Sequence, residues 1–262
     1  MNGSVLADAV ETTGRVTGVR RMGEYMVLSI RAPEIAGRTL PGQFVMLDSA
    51  GCLLRRPFSV FRAEDDVIAV AFDVIGEGTR WLGTRVLGDE LKLAGPLGQG
   101  FALDADGPTV AIGGGYGAAA LFPLAERLRP SGHPVHALFG AAREARVFGH
   151  DEAKKVFDSV TLTTEDGSLG QKGLVTDALS KLVSSTGARR VAACGPMPML
   201  AAVAARCRDL GIGCEAAVDE FMACGIGVCW TCVIATNGGE AVAYKRSCTE
   251  GPVFDAQAVA WG

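Results

Sequence analysis

The sequence predicts a multi-domain protein of α/β plus β class: an N-terminal antiparallel β-barrel, a central doubly wound parallel α/β domain and a small C-terminal cysteine module. Three observations predict it. Short β-rich runs punctuated by Gly and Pro fill the chain from Arg15 to about Phe101; strands and helices alternate from Gly107; and cysteines gather between Cys224 and Cys248. The expected divisions are 1–103, 104–214 and 215–262.

Within the first division, "YMVLSIRAP", "PGQFVMLDS", "RRPFSVFRA", "DVIAVAFDVIG" and "DELKLAGPLG" read as the barrel strands. Two stretches there carry chemistry. In "RRPFS" (55–59) an arginine with a hydroxyl residue three on, along an extended segment, places a guanidinium for a pyrophosphate and a hydroxyl near a flavin ring. In "VIGEGTRWL" (74–82) the turn from Gly76 to Thr79 offers backbone N–H groups and the Thr79 hydroxyl to the same phosphates. Ordinary strand-edge and core roles compete with each reading, and the two together strengthen it.

In the second division, "PTVAIGGGYGAAALFPLAERLR" reads as a buried strand, a glycine turn and a helix. "PVHALFGAA", "SVTLTTEDG" and "RRVAACGP" supply further strands, and "PMLAAVAARCRDLG" a helix. The turn bearing Gly113, Gly114, Gly115 and Gly117 lacks the full dinucleotide fingerprint, since Ala118, Ala119 and Ala120 follow. It still lets backbone approach a pyrophosphate; a tight turn packed on the sheet is the alternative. "CGPMPM", with Cys194, Gly195, Pro196 and Met197 at a later strand end, would complete a nicotinamide cleft. Glu165 and Asp166 follow a strand, where negative charge disfavours a 2′-phosphate, so NAD is expected over NADP; ordinary solvent-exposed turn acids are the alternative.

In the third division, Cys224-x4-Cys229-x2-Cys232 with Cys248 beyond forms a four-thiolate set of plant-type 2Fe-2S spacing. Gly225 and Gly227 supply permissive backbone where a loop must wrap a cluster. A structural zinc site is the alternative, although zinc modules usually bring two tight C-x2-C knuckles. Trp230 either shields the centre or covers a small module. Cys52, Cys207 and Cys214 read as plain thiols, and His133, His136 and His150 as surface or packing residues.

Composition narrows the classes. The 262 residues are 48% hydrophobic, ample for packed cores, and the net charge of −4 with no basic cluster argues against nucleic acid as a partner. No apolar run approaches the roughly 20 residues of a membrane helix, and the N-terminus lacks the pattern of a signal peptide, so a cytoplasmic location is expected. In a reducing compartment eight cysteines are metal ligands or thiols rather than disulfides.

The order of these motifs resembles the ferredoxin-reductase superfamily. More narrowly, "LLRRPFSV", "GPLGQGF", "TEDGSLGQKG", "CGPMPML", "MACGIGVCWTCV" and "CTEGPVF" are similar to the iron–sulfur electron-transfer subunit of NAD-dependent (type B) dihydroorotate dehydrogenase, over about Gly14 to Phe254. The resemblance implies that Arg56, Pro57, Phe58, Ser59, Phe72, Asp73, Val74, Gly78 and Thr79 contact FAD. It implies that Cys224, Cys229, Cys232 and Cys248 ligate a 2Fe-2S cluster. No residue of this chain is assigned pyrimidine chemistry. By resemblance, a separate FMN-containing catalytic subunit oxidises dihydroorotate to orotate in pyrimidine biosynthesis, and the two subunits assemble as a heterotetramer of two of each. Relatives often carry Tyr where Phe58 stands and Pro where Ala120 stands; with Pro123 downstream instead, the start of the helix after the glycine turn is left open. The other enzyme reading is a diaphorase or reductase subunit of a hydrogenase, transhydrogenase or oxygenase system, and the other class is a zinc-stabilised binding protein without redox chemistry.

Overall fold

Strand β1 (Val10–Met22) turns at Gly23, where φ is +60°, and runs back as β2 (Tyr25–Arg31), whose Val27, Leu28 and Ile30 are fully buried. In this computed structural model, which describes residues 9–104, 106–238 and 242–261, the pair begins a closed barrel. A short helix α1 (Pro33–Ala36) leads to β3 (Phe44–Leu47), β4 (Arg56–Glu64) and β5 (Val67–Phe72); helix α2 (Glu77–Leu82) precedes β6 (Glu90–Leu97). The strands close in the order β1-β2-β5-β4-β3-β6, every pairing antiparallel. Closure leaves no exposed sheet edge here. The run from Val10 that supplies β1 is too polar for a strand signal, and its register against β2 and β6 comes from tertiary pairing.

The chain then alternates β7 (Thr109–Gly114), α3 (Phe122–Leu128), β8 (Val135–Ala141), α4 (His150–Val156), β9 (Ser159–Thr164), β10 (Gln171–Lys172), α5 (Val175–Thr186), β11 (Arg190–Cys194), α6 (Met197–Leu210) and β12 (Gly213–Ala217). A hairpin of β13 (Val233–Asn237) and β14 (Val242–Arg246), helix α7 (Ser247–Glu250) and β15 (Val253–Asp255) complete it. The second sheet has the order β10-β9-β8-β7-β11-β12-β15. All pairs are parallel except β12 with β15. This sheet crosses the division expected at 214/215, because β12 spans it and β15 returns from the cysteine-rich segment to lie beside β12.

The helix start left open by the sequence is resolved. Residues Gly115–Leu121 form a 3₁₀ turn, and α3 begins at Phe122 with Pro123 in its first turn, where its missing N–H costs nothing. Among the described residues no helix is long and apolar enough to cross a membrane.

Barrel and sheet share a core. Phe61 of β4 meets Phe122 and Phe148 edge-on at ring distances of 5.0 and 5.2 Å. Beside it Arg62 reaches Glu126 at 3.6 Å and Glu152 at 3.2 Å. Phe61 is wholly buried, so Phe61→Ala is expected to lower unfolding stability by about 3–5 kcal/mol. Urea denaturation followed by circular dichroism checks this, and an unchanged midpoint would show that the aromatic seam does not hold the two units.

Candidate functional site

Two neighbouring arginines of the barrel have opposite surroundings. Arg55 lies 2.5 Å from Asp48 and 2.9 Å from Glu11, and is neutralised. Arg56 donates only to the carbonyls of Leu54 and Arg55, at 2.6 and 3.4 Å, and pairs with no carboxylate among the described residues. Its side chain lies against the first turn of α2: a Cβ on Gly78 would stand 2.8 Å from Arg56 Nε and 3.0 Å from Ser49 Oγ. Ser49 Oγ is buried without a hydrogen-bond partner. An unpaired cation, an orphaned hydroxyl and a glycine that leaves room beside both suit the oxygens of a pyrophosphate. Ser49 is missed by sequence reasoning, since nothing in "DSAG" marks it.

Thr79 lies in the first turn of α2. Its hydroxyl accepts the N–H groups of Ile75 and Gly76, both at 3.0 Å, and donates to Gly76 O at 3.2 Å, so it shapes the turn from within. Pairing of β4 with β3 sets Pro57 opposite Met46 and Phe58 opposite Val45. Phe58 and Phe72 are buried with ring centroids 5.4 Å apart, while Val74 is exposed. Asp73 is held by Arg146, which also reaches Glu24 and lies over the Tyr25 ring at 5.0 Å. Tyr25 in turn lies 5.5 Å from Tyr116 of the glycine turn, so this edge of the barrel faces the sheet.

The two loops read as a nicotinamide cleft interlock. Gly113 is level with Cys194 in the pairing of β7 and β11, and Cys194 is level with Ala217 of β12. A Cβ on Gly114 would meet Pro196 Cδ at 2.8 Å, one on Gly117 would meet Cys194 O at 2.8 Å, and one on Gly195 would meet Gly114 N at 3.0 Å. The close packing of the loops thus accounts for these three glycines, and Gly115, at φ +53°, turns the chain toward the Tyr25 hydroxyl. Met197 at the start of α6 is exposed. Burial pushes the Cys194 thiol and the Tyr116 phenol each up to about 12, and burial with the nearby Glu220 charge pushes the Asp219 carboxyl up to about 6. Asp219 is exposed, two residues past the end of β12.

The four cysteines converge as two pairs. Cys229 N donates to Cys224 Sγ at 3.5 Å, and Cys248 N donates to Cys232 Sγ at 3.4 Å. Cys229 is exposed, and hydrogen bonds from the Thr231 hydroxyl and N–H pull its thiol down to about 6. Cys248 is buried, and burial followed by the neighbouring Cys232 pushes its thiol up to about 12. Gly225 and Gly227, at φ +70° and +82°, and Trp230, at φ +58°, turn the loop around the sulfurs. Among the described residues no three His, Cys, Asp or Glu side chains converge on one ion position. Two pairs of thiols are what a two-iron cluster takes, two per iron, so the residues fit that group.

The loop rests on the barrel. A Cβ on Gly225 would stand 2.8 Å from Met46 Cγ, and Phe44, Met46, Leu97, Met222, Cys232 and Cys248 form one buried cluster. Met46 is the strand partner of Pro57, one strand spacing away.

The family model for the iron-sulfur cluster binding domain of dihydroorotate dehydrogenase B matches residues 219–260. The chain is 36% identical to the dihydroorotate dehydrogenase B (NAD(+)) electron transfer subunit of Caldanaerobacter subterraneus subsp. tengcongensis, over 84% of this chain and 86% of the relative. It is 32% identical to that of Desulforamulus reducens, over 94% and 99%. Among solved structures, a chain of the NADH-dependent reduced ferredoxin-NADP oxidoreductase superposes with a TM-score of 0.87 at 26% identity, covering 100% of this chain and 92% of that one. The ferredoxin reductase of carbazole 1,9a-dioxygenase shares the fold, with a TM-score of 0.62 at 21% identity over 77% of this chain and 65% of that one. With its two-domain reductase fold, its cysteine module and this likeness over most of its length, the chain belongs to the family of dihydroorotate dehydrogenase B electron transfer subunits.

Proposed function

We propose that this chain passes electrons between NAD and an FMN-containing dihydroorotate dehydrogenase catalytic subunit, through FAD on the barrel and a 2Fe-2S cluster on the cysteine loop. The observation that carries the reading is the contact of that loop with the barrel: Gly225 packs on Met46, and Met46 pairs with Pro57 of the flavin motif. When bound, FAD exchanges two electrons as hydride and a 2Fe-2S cluster carries one at a time.

The chain's own residues supply binding and orientation. Arg56, with Gly78 and Ser49 beside it, holds the pyrophosphate of FAD; Pro57, Phe58, Ser59, Phe72, Asp73, Val74 and the turn at Thr79 frame the rest. Gly113, Gly114, Gly115 and Gly117, with Cys194, Gly195, Pro196 and Met197, form the floor on which NAD lies across the strand ends. Cys224, Cys229, Cys232 and Cys248 ligate the cluster. The segments 1–103, 104–214 and 215–262 are units of role, for FAD, NAD and cluster, joined through shared strands. Backbone bonds from Glu165 and Asp166 to Ala141 and Ala142 bring both acids to the end of β8, beside the central strand, which supports NAD over NADP. All eight cysteines are unpaired, in keeping with a cytoplasmic location, and two copies of each subunit form the assembly. Ile226, Val228 and Trp230 are exposed around the cluster loop and form the face toward the catalytic subunit.

Three outcomes test this. The anaerobically purified protein is expected to show flavin bands with a broad red shoulder, bleached by NADH much faster than by NADPH. Dihydroorotate should bleach them only with the catalytic subunit present. A response to NADH with none to dihydroorotate in that mixture would assign the chain to another redox assembly, and a colourless, zinc-bearing protein would overturn the redox reading. Arg56→Gln removes charge-assisted bonds worth about 1.5–3 kcal/mol and is expected to weaken FAD binding roughly 10- to 100-fold, read by flavin release on dilution. Val228→Asp is expected to weaken subunit association on gel filtration with cluster content retained; unchanged association would move the interface elsewhere.

A further inference from the structure

Arg246, at the end of β14 and two residues before Cys248, touches each arc of the cysteine loop. Its NH1 donates to the carbonyl of Gly227, between Cys224 and Cys229, at 3.0 Å. Its guanidinium lies 4.8 Å from the ring centroid of Trp230, between Cys229 and Cys232. Its Nε donates to Glu250 Oε2 at 3.1 Å, and its backbone N–H donates to the same oxygen at 2.9 Å. Gly227 is fixed from the other side as well, since a Cβ there would stand 2.9 Å from Thr249 Cγ2. The backbone N–H of Gly227 lies within hydrogen-bonding reach of the Cys248 sulfur. One residue therefore offers its carbonyl to Arg246 and its N–H to a cluster ligand.

Resting on the assignment of the four cysteines to a 2Fe-2S cluster, we propose that Arg246 is a positioning residue that sets the reduction potential of this centre, by holding the Gly227 N–H on the Cys248 sulfur and by placing a Glu250-balanced positive charge in the loop. With a 2Fe-2S cluster bound by the four cysteines, its reduction would take one electron from reduced flavin and add one unit of negative charge, with no bond formed or broken. Hydrogen bonds to sulfur and nearby positive charge stabilise the added charge, and nearby negative charge opposes it. The fork of the guanidinium matters as much as its charge, since one side chain must reach a carbonyl, a carboxylate and an aromatic face together.

The test uses the whole chain purified anaerobically and titrated with dithionite and mediators, with the cluster followed by electron paramagnetic resonance and iron counted chemically. In Arg246→Gln the reduced-to-oxidised ratio at the wild-type midpoint is expected to fall about tenfold, a downward shift of about 59 mV for one electron. Glu250→Gln leaves the guanidinium unbalanced and is expected to shift the midpoint upward. Arg246→Lys keeps the charge and loses the fork, so its midpoint should fall between wild type and Arg246→Gln, with the altered line shape of the latter. If Arg246→Gln and Glu250→Gln both load iron and titrate at the wild-type midpoint, the role of Arg246 is overturned. Should Arg246→Gln lose its iron, Glu250→Gln decides: an upward shift supports the proposal and an unchanged midpoint overturns it. A wild-type chain with flavin but no cluster signal would instead sink the assignment of the cysteines, and the proposal with it.

Discussion

The arrangement depends on one close approach, that of the Gly225 backbone to the Met46 side chain. With φ at +70° and 2.8 Å between a would-be Cβ and Met46 Cγ, a larger residue would strain the loop and displace the Met46 side chain. The contact joins two elements that could not be stable in the same way apart. The cysteine segment has a short hairpin and one turn of helix, too little to bury a core of its own. It borrows one from β3 and β6, and Met222, Cys232 and Cys248 complete the cluster begun by Phe44, Met46 and Leu97. The same contact that stabilises the module brings it beside Pro57 of β4, the strand partner of Met46.

A second constraint fixes the barrel against the sheet. The aromatic seam around Phe61 and Phe122 supplies apolar area, and the pair of Arg146 with Asp73 supplies direction at the edge where Tyr25 meets Tyr116. Apolar packing alone tolerates small rotations of one unit on the other. A guanidinium bonded to both Asp73 and Glu24 tolerates far less, because rotation would break charge-assisted bonds that are partly shielded from water.

What was legible in the sequence was local. The spacing of Cys224, Cys229 and Cys232, "RRPFS" and the glycine turn each lie within a dozen residues, so they stand out without knowledge of the fold. Elements defined by distant pairing were not legible. Strand β1 is polar along its length and exists because β2 and β6 flank it; β12 and β15 are short and gain their identity from each other. The same holds for side chains. Ser49 escapes notice because only the fold brings Gly78, some thirty residues on, beside it, and the local bonds of the Thr79 hydroxyl show only once its turn is formed.

The cysteine module also has a direction. Cys232 and Cys248 are buried against the barrel, where burial opposes the thiolate, whereas Cys229 is exposed and its thiolate is favoured by Thr231. Val228 and Trp230 flank that outer cysteine and are themselves exposed. The inner pair thus faces the flavin motif and the outer pair faces the side of the molecule open to another protein. A centre that must take charge from one neighbour and hand it to another needs such unlike faces, and here the difference arises from ordinary burial: the half of the loop that completes a hydrophobic core turns inward, and the half with no core to join is left at the surface.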